Sequence, residues 1–388
     1  MIGRTYQTPV LVGHPFAPIG RGEDIRCSFR AFKATGLTLP IRDIYSSGNY
    51  FDPDIEKELS GHFTRGLSSS INLFHINGDE VEQALAHLAN DMPSGAYCII
   101  YPQWELSIYP SDWTEQLERF NEVWAPSNFV FDSIDRAISK PVFHMPHSVE
   151  VKLTSFLGRR YFGLPESPYL FLFYFDFRSY IDRKNPFAVI KAFEKVCADG
   201  KAEDIRLVIK VNRPIGLFHG EEHFSRLITE IDRCKYKDNI IIIDKVLTDN
   251  EMKNLVRCCD CLVSLHRSEG FGRGMAEAMF LGKPVIATGY SGNLDFMNEK
   301  NSCLVRYELV AVKEGQYPYA KGQVWAEPDI DHAVYYMLKL LDDRDWGRRL
   351  GQIASRHIRT YFSYRAVGLR YTKRLEEILQ KLGLPSIS

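Results

Sequence analysis

Two carboxylates and a run of glycines mark the stretch of this chain best equipped for chemistry. Glu269 and Glu277 flank Gly270, Phe271, Gly272, Arg273 and Gly274, with seven residues between the two acids. Upstream, Cys261 to Leu265 is an apolar run followed by the polar turn His266, Arg267, Ser268. Downstream, Met275, Ala278, Met279 and Leu281 recur at helical spacing until Gly282-Lys283-Pro284 stops them. A second apolar run, Val285 to Ala287, leads to another turn bearing Ser291, Gly292 and Asn293. Strand, glycine turn, helix and strand make a parallel crossover unit, whose ligand edge lies at the strands' C-terminal ends. Glycines there let backbone N–H groups close on an anion, and the helix N-terminus adds favourable partial charge. A carboxylate such as Glu277 on a short apolar helix is costly to bury without partners, and sugar hydroxyls are suitable ones. Spacing alone leaves open an ordinary alternative, with Glu277 facing solvent and the glycines serving only close packing.

The wording from Glu269 through Glu277, continued by Ala-Met-Phe-Leu-Gly-Lys-Pro-Val-Ile-Ala-Thr, resembles the signature of family 4 retaining glycosyltransferases of the GT-B fold. The longer frame, Ser264 to Met297, is similar to a bacterial branch of polysaccharide-building mannosyl- and rhamnosyl-type transferases. The resemblance is dense over about residues 165–345 and thinner in the N-terminal half. It implies an α/β chain of two Rossmann-like domains facing across a cleft, with the C-terminal helix crossing back to the first domain.

Composition agrees with such a chain. Its 388 residues suit two domains of ordinary size. A formal net charge of −1 argues against binding nucleic acid by bulk charge. Neither a membrane-length apolar run nor a signal-peptide pattern is present, so a cytoplasmic location is expected. Eight cysteines in a chain this long do not form a disulfide framework. Cys258, Cys259 and Cys261 crowd together without a second pair or histidine at metal-ligand spacing and read as core thiols.

In the first half, apolar runs at Val10–Val12, Pro40–Tyr45, Ile71–His75, Tyr97–Tyr101, Val123–Ala125 and Val142–Met145 alternate with helical patterns at about 79–90, 112–120 and 127–138. That alternation predicts a parallel sheet. Asp112 with Glu115, and Ser127, are read as helix caps, and the polar stretch to about Arg65 as a loop. Gly20 and Gly22 fall where the first strand turns into a helix and a backbone can approach a phosphate, with Arg21 and Glu23 beside them. His75 and Glu105 follow strand ends and are the candidates for contact with an acceptor. Two Asp-x-Asp triplets occur: Asp52-Pro53-Asp54 lies among turn residues, and Asp329-Ile330-Asp331 opens a helix. Both read as structural, so no metal or other cofactor is expected.

Residues from about 148 to 168 carry few strand signals and read as a hinge. The expected domains are 1–150, joined by a terminal helix over 364–388, and 151–363. Further strands are expected at Tyr169–Phe175, Ile205–Val211 and Ile240–Ile243, with Lys210 ending the second. Asn185-Pro186 and Thr248 with Glu251 read as helix starts, and Tyr307–Pro328 as an insertion. Leu369, Tyr371, Leu375 and Ile378 form an apolar stripe on the last helix; a partner-binding helix is its alternative explanation.

The resemblance implies roles residue by residue. Lys184 and Arg178 would embrace the donor's diphosphate, with Arg183 able to replace Arg178. Glu269 would hold donor-sugar hydroxyls and Glu277 the ribose, while His266, Ser291, Gly292 and Asn293 line sugar and phosphates; Lys210, read from its place at a strand end in an apolar run, is a further donor-side candidate facing the cleft. The implied reaction is transfer from a nucleotide-sugar, GDP-mannose before a UDP- or dTDP-sugar, to a glycan or lipid-linked glycan. A lipid-linked acceptor would bring the chain to the inner face of a membrane. Departure of a nucleoside diphosphate builds charge that cations and helix N-termini can neutralise without a metal. A sugar-nucleotide epimerase and a non-catalytic binding subunit are the alternatives.

Overall fold

The computed structural model describes residues 8–17, 20–44, 52–212 and 218–387. Pro18 and Ile19 of the expected phosphate-approach turn, Tyr45 of the expected second strand and the first part of the polar stretch after it lie outside these residues. The chain forms two compact units, one of residues 1–150 with 359–388 and one of residues 151–358.

The first unit holds β1 (Val10–Gly13), β2 (Ile41–Asp43), β3 (Ile71–Phe74), β4 (Tyr97–Ile100), β5 (Glu122–Ala125) and β6 (Val142–His144). They lie in the order β2-β1-β3-β4-β5-β6 and every neighbouring pair is parallel. Its helices are α1 (Gly20–Lys33), α2 (Pro53–Leu59), α3 (Val81–His87), α4 (Ser111–Leu117) and α5 (Asn128–Asp135). Two local readings are corrected here. Residues 53–59, expected as loop, are helical because the Asp52 side chain accepts from Asp54 and Ile55 N–H and Pro53 pre-sets the first turn. Asp52-Pro53-Asp54 is thus a helix start. Asp112 caps nothing, since α4 begins one residue earlier with Pro110 at its cap. Ser127 does cap α5, accepting from Val130 N–H.

The second unit holds β7 (Tyr169–Asp176), β8 (Ile205–Asn212), β9 (Ile240–Asp244), β10 (Cys261–Ser264), β11 (Val285–Thr288) and β12 (Cys303–Val305). Their order, β12-β11-β10-β7-β8-β9, is again wholly parallel. Lys210 lies two residues inside β8 rather than at its end. Helices α6 (Ile181–Lys184), α7 (Pro186–Val196), α8 (Phe218–Arg233), α9 (Asp249–Cys258), α10 (Arg273–Phe280), α11 (Ile330–Asp342) and α12 (Arg344–Tyr361) follow. Caps occur at Asn185, Thr248 with Glu251, and Asp329. The insertion is itself a hairpin of β13 (Tyr307–Ala311) and β14 (Val324–Pro328), which the Tyr-, Gly- and Pro-rich composition hid. Tyr169, Phe171, Phe173 and Phe175 alternate along β7 and pack with Val189, Ala192, Phe193 and Val196 of α7. Each such fully buried side chain contributes about 1.5–3 kcal/mol.

The last helix, α13 (Tyr364–Lys381), belongs to the first unit. Val367, Tyr371, Leu375, Ile378 and Leu379 join Phe29 and Phe32 of α1 in that unit's core. Leu369, expected in the stripe, is 52 % exposed, because only positions in step with Tyr371 and Leu375 face α1.

Candidate active site

The second unit assembles its functional side chains at the C-terminal ends of β7, β10 and β11. Glu269 follows β10, and its main chain is fixed by the neighbouring turn. Glu269 N–H donates to Ser291 Oγ at 2.8 Å, and Glu269 C=O accepts from Gly292 N–H at 2.9 Å. A side chain at Gly292 would put its Cβ 2.0 Å from the Gly270 carbonyl oxygen, so the two turns close only with glycine there. Gly272 caps α10 at φ +91°, a conformation that favours glycine. Ser291, at φ +73°, and Asn185, at φ +53°, hold left-handed backbone without being glycine, a strain that tends to gather where ligands bind.

The Glu269 carboxylate lies between two cations. Arg183 Nη1 reaches one oxygen at 3.1 Å, Lys184 Nζ pairs with the other, and only 12 % of the Glu269 side chain is exposed. Burial alone would push this carboxyl up, but Lys184, Arg183 and His266 outweigh it and hold it at about 2. Arg183, 3 % exposed, also donates to Ser268 C=O at 2.9 Å. His266 is fully buried, and burial lowers it to about 4 despite Glu269, so the ring is neutral near pH 7. Among the described residues neither of its ring nitrogens has a hydrogen-bond partner, and the same holds for Ser268 Oγ and Asn293 Oδ1. Asn293 Nδ2 is anchored to Thr288 C=O at 3.1 Å. Buried polar atoms are ordinarily paired, so this concentration around one carboxylate is the mark of a site awaiting polar contacts.

The cation pair differs from the one expected first. Arg178 stands 38 % exposed at the end of β7, 3.6 Å from Asp176, and Arg183 takes its place beside Lys184 at Glu269. Asn185, in αL conformation, ends α6 directly after these two cations. Glu277 is half-buried on α10, one turn along the same helix face from Arg273. Phe271 is buried against Phe296, a packing residue at the turn. Arg267, which the sequence did not single out, donates to Asp182 C=O and Glu327 and lies over Trp325, tying the β13–β14 hairpin to the site loop.

In the first unit the candidates fare differently. Gly22 lies inside α1, not in a turn, and a Cβ there would meet Ala17 C=O at 2.1 Å, so its smallness serves packing. Gly20 starts the helix with open space around it. Glu23 is 7 % exposed and bound by Arg26 at 2.8 Å and Arg30 at 3.1 Å, so its carboxylate is held inside the unit. Arg21 pairs with Glu80, which also meets His14 at 3.3 Å. Glu80 was not foreseen, although Asn77 three residues before it is a capping-box signal that the structure realises. His75 is 2 % exposed with its ring against Tyr101, and Glu105 is half-buried beyond β4.

Among the described residues no group of three or more His, Cys, Asp or Glu side chains is placed to hold a metal ion. Nor is any helix among them long and apolar enough to cross a membrane.

The family described as Glycosyl transferases group 1 matches residues 159–357, just over half of the chain. One curated relative, the alpha-1,3/1,6-mannosyltransferase ALG2 of Dictyostelium discoideum, is 23 % identical over 197 residues. That match takes in 50 % of this chain and 41 % of the relative, so the chain spans less than half of that protein's length. Among solved structures, sucrose-phosphate synthase from Thermosynechococcus elongatus superposes with a TM-score of 0.70 at 14 % identity, over 96 % of this chain and 100 % of that one. HepE of Anabaena, in complex with UDP and glucose, gives 0.68 at 12 % identity over 95 % and 100 %. A glycosyltransferase of Rickettsia africae gives 0.65 at 15 % over 96 % and 99 %. At such identities the likeness is one of fold: two Rossmann-like, parallel-sheet domains of the GT-B kind.

Proposed function

The chain belongs to the group 1 glycosyl transferases, and from that premise we propose that it transfers a hexose from a nucleotide-sugar to a glycan hydroxyl, with retention of anomeric configuration and without a metal. The observation that carries this reading is Glu269, buried and kept ionised between Arg183 and Lys184 at the turn into α10. A carboxylate so held can accept hydrogen bonds from sugar hydroxyls and oppose the positive charge that builds on the ring as the nucleoside diphosphate departs. Negative charge builds at the same time on the leaving phosphate. Lys184, Arg183 and the first-turn N–H groups of α10 are the donors able to meet it. Glu277 then takes the ribose hydroxyls. Neutral His266, with Ser268 and Asn293, supplies polar contacts that need no proton transfer at the moment of reaction. Same-face attack and a covalent intermediate are both compatible with this arrangement.

GDP-mannose is the favoured donor, supported by the mannosyltransferase relative and by the sequence frame around Glu269. UDP-sugars come second, supported by the UDP and glucose of HepE. The acceptor is a growing glycan, free or lipid-linked, of a bacterial surface polysaccharide, and the reaction takes place in the cytoplasm at the inner membrane face. A panel of GDP-, UDP- and dTDP-sugars tests the donor, because a ligand preferring the native state raises the melting temperature. Product analysis with the stabilising donor and candidate glycans follows. No shift with any sugar nucleotide defeats the reading, and conversion of the donor without an acceptor points to an epimerase instead.

A further inference from the structure

Lys210 and Tyr174 are register partners on the adjacent parallel strands β8 and β7. Their side chains therefore leave the same face of the sheet. Lys210 is 7 % exposed, and among the described residues its ammonium has neither a hydrogen bond nor an ion pair. Burial disfavours its charge, while Asp176 and Asp244, beyond pairing distance, support it. The Tyr174 hydroxyl is likewise cut off from solvent without a partner. Its end abuts the first turn of α10, since a Cβ at Gly274 would lie 2.4 Å from the phenol oxygen. In that turn Met275 N–H already donates to Gly272 C=O at 3.0 Å, whereas the N–H of Gly274 itself lies too early in the helix for an intrahelical acceptor. Burial, with Glu277 and Glu269 nearby, pushes the Tyr174 phenol well above its ordinary value, so it stays an O–H donor.

Lys184 and Arg183 are engaged by Glu269, which leaves the charge of a diphosphate incompletely met by them. The ammonium and the protonated phenol leave the same sheet face, and the phenol end meets the α10 turn, so that face is rich in donors. Such a face suits acceptor-only phosphate oxygens better than sugar hydroxyls, whose own protons would go unanswered. We propose that Lys210 and Tyr174, across neighbouring strands, hold the diphosphate of the donor, with Gly274 present so that the phenol can reach the α10 turn. This rests on the sugar-nucleotide reading above.

The test is calorimetry of Lys210→Met and Tyr174→Phe with UDP and GDP, beside uridine and guanosine, together with the melting temperature of each ligand-free variant. Lys210→Met should weaken the preferred nucleoside diphosphate roughly 10- to 100-fold and leave the nucleoside unchanged. Its ligand-free melting temperature should hold or rise, since an unpaired buried charge has been removed. A purely structural role would not move stability and affinity in opposite directions. Tyr174→Phe should weaken the diphosphate roughly three- to tenfold. If wild type binds a nucleoside diphosphate and Lys210→Met binds it equally, or loses the nucleoside as much, the proposal is wrong and the transferase reading stands. If wild type binds no nucleoside diphosphate, both fall together.

Discussion

The two units share one architecture but use their charged residues in opposite ways. In the first, acids near the strand ends are enclosed by partners of their own unit. Glu23 sits between Arg26 and Arg30, Asp24 faces His147 at 3.4 Å, and Gln103 bridges to both Asp24 and His147. In the second, Glu269 is paired, yet among the described residues the His266 ring nitrogens, Ser268 Oγ, Asn293 Oδ1 and the Tyr174 hydroxyl near it are buried without a hydrogen-bond partner, and Ser291 and Asn185 hold strained backbone. Buried charge in a Rossmann-like unit can therefore be either structural or poised for a ligand, and burial alone does not distinguish them. What marks the second unit is the gathering of several such atoms near one carboxylate, since Ser28 Oγ, Tyr109 and Ser133 Oγ of the first unit also lack hydrogen-bond partners among the described residues.

Substitutions can break this contrast, beginning with the largest effect. Glu269→Ala removes the carboxylate that meets the buried Arg183, which should cost about 3–5 kcal/mol in urea unfolding. The same change should lower turnover with the preferred donor by roughly 100-fold or more. Turnover within a few fold of wild type would remove Glu269 from the chemistry. Next comes acid sensitivity from His266, whose neighbours in charge are Glu269, Lys184 and Arg183. Its folded value is depressed, so the unfolded chain takes up the proton first. The stability it contributes is complete above about pH 6.5 and is lost as pH falls towards 4, by about 3 kcal/mol. Unfolding measured at steps between pH 7 and 4 should show that slope in wild type and not in His266→Phe. Glu269, held at about 2, adds its own loss only below about pH 4.5.

Glu23→Gln sharpens the contrast from the other side. It should lower stability by about 2 kcal/mol through its two arginines while leaving nucleotide affinity as in wild type. A changed affinity would show that the first unit's ion pairs are not merely internal. Smallest is Ser291→Ala, which removes the acceptor for Glu269 N–H and should cost about 1 kcal/mol, with a modest rise in donor KM.

Apolar alternation, glycine turns and helix caps were legible along the chain, because each depends on residues close in sequence. They locate β1 to β11 within a residue or two, and the caps at Ser127, Asn185, Thr248 and Asp329, while β12 went unmarked. Local signals misled where two readings shared one composition. Asp52-Pro53-Asp54 suits a turn and a helix start alike, and the residues 307–328 suit a loop as well as the hairpin they form. Of the candidate site, Glu269, Lys184 and the turn before α10 stood out in the sequence, and the structure brings the first two together. Arg183 was visible beside Lys184, but which arginine accompanies the lysine depends on where the folded chain brings each against Glu269, and no spacing rule states that.

By itself, then, the sequence determined two parallel α/β sheets and the crossover bearing Glu269 and Glu277, since hydrophobic period and turn chemistry act within a few residues. Only the tertiary structure decided which charges meet. The pairing of Glu269 with residues more than eighty positions away, the enclosure of Glu23, and the placing of Tyr174 beneath Gly274 follow from how strands line up in a sheet and how closely helices approach it. Those are contacts between segments far apart along the chain, and their geometry exists only once the sheet has formed.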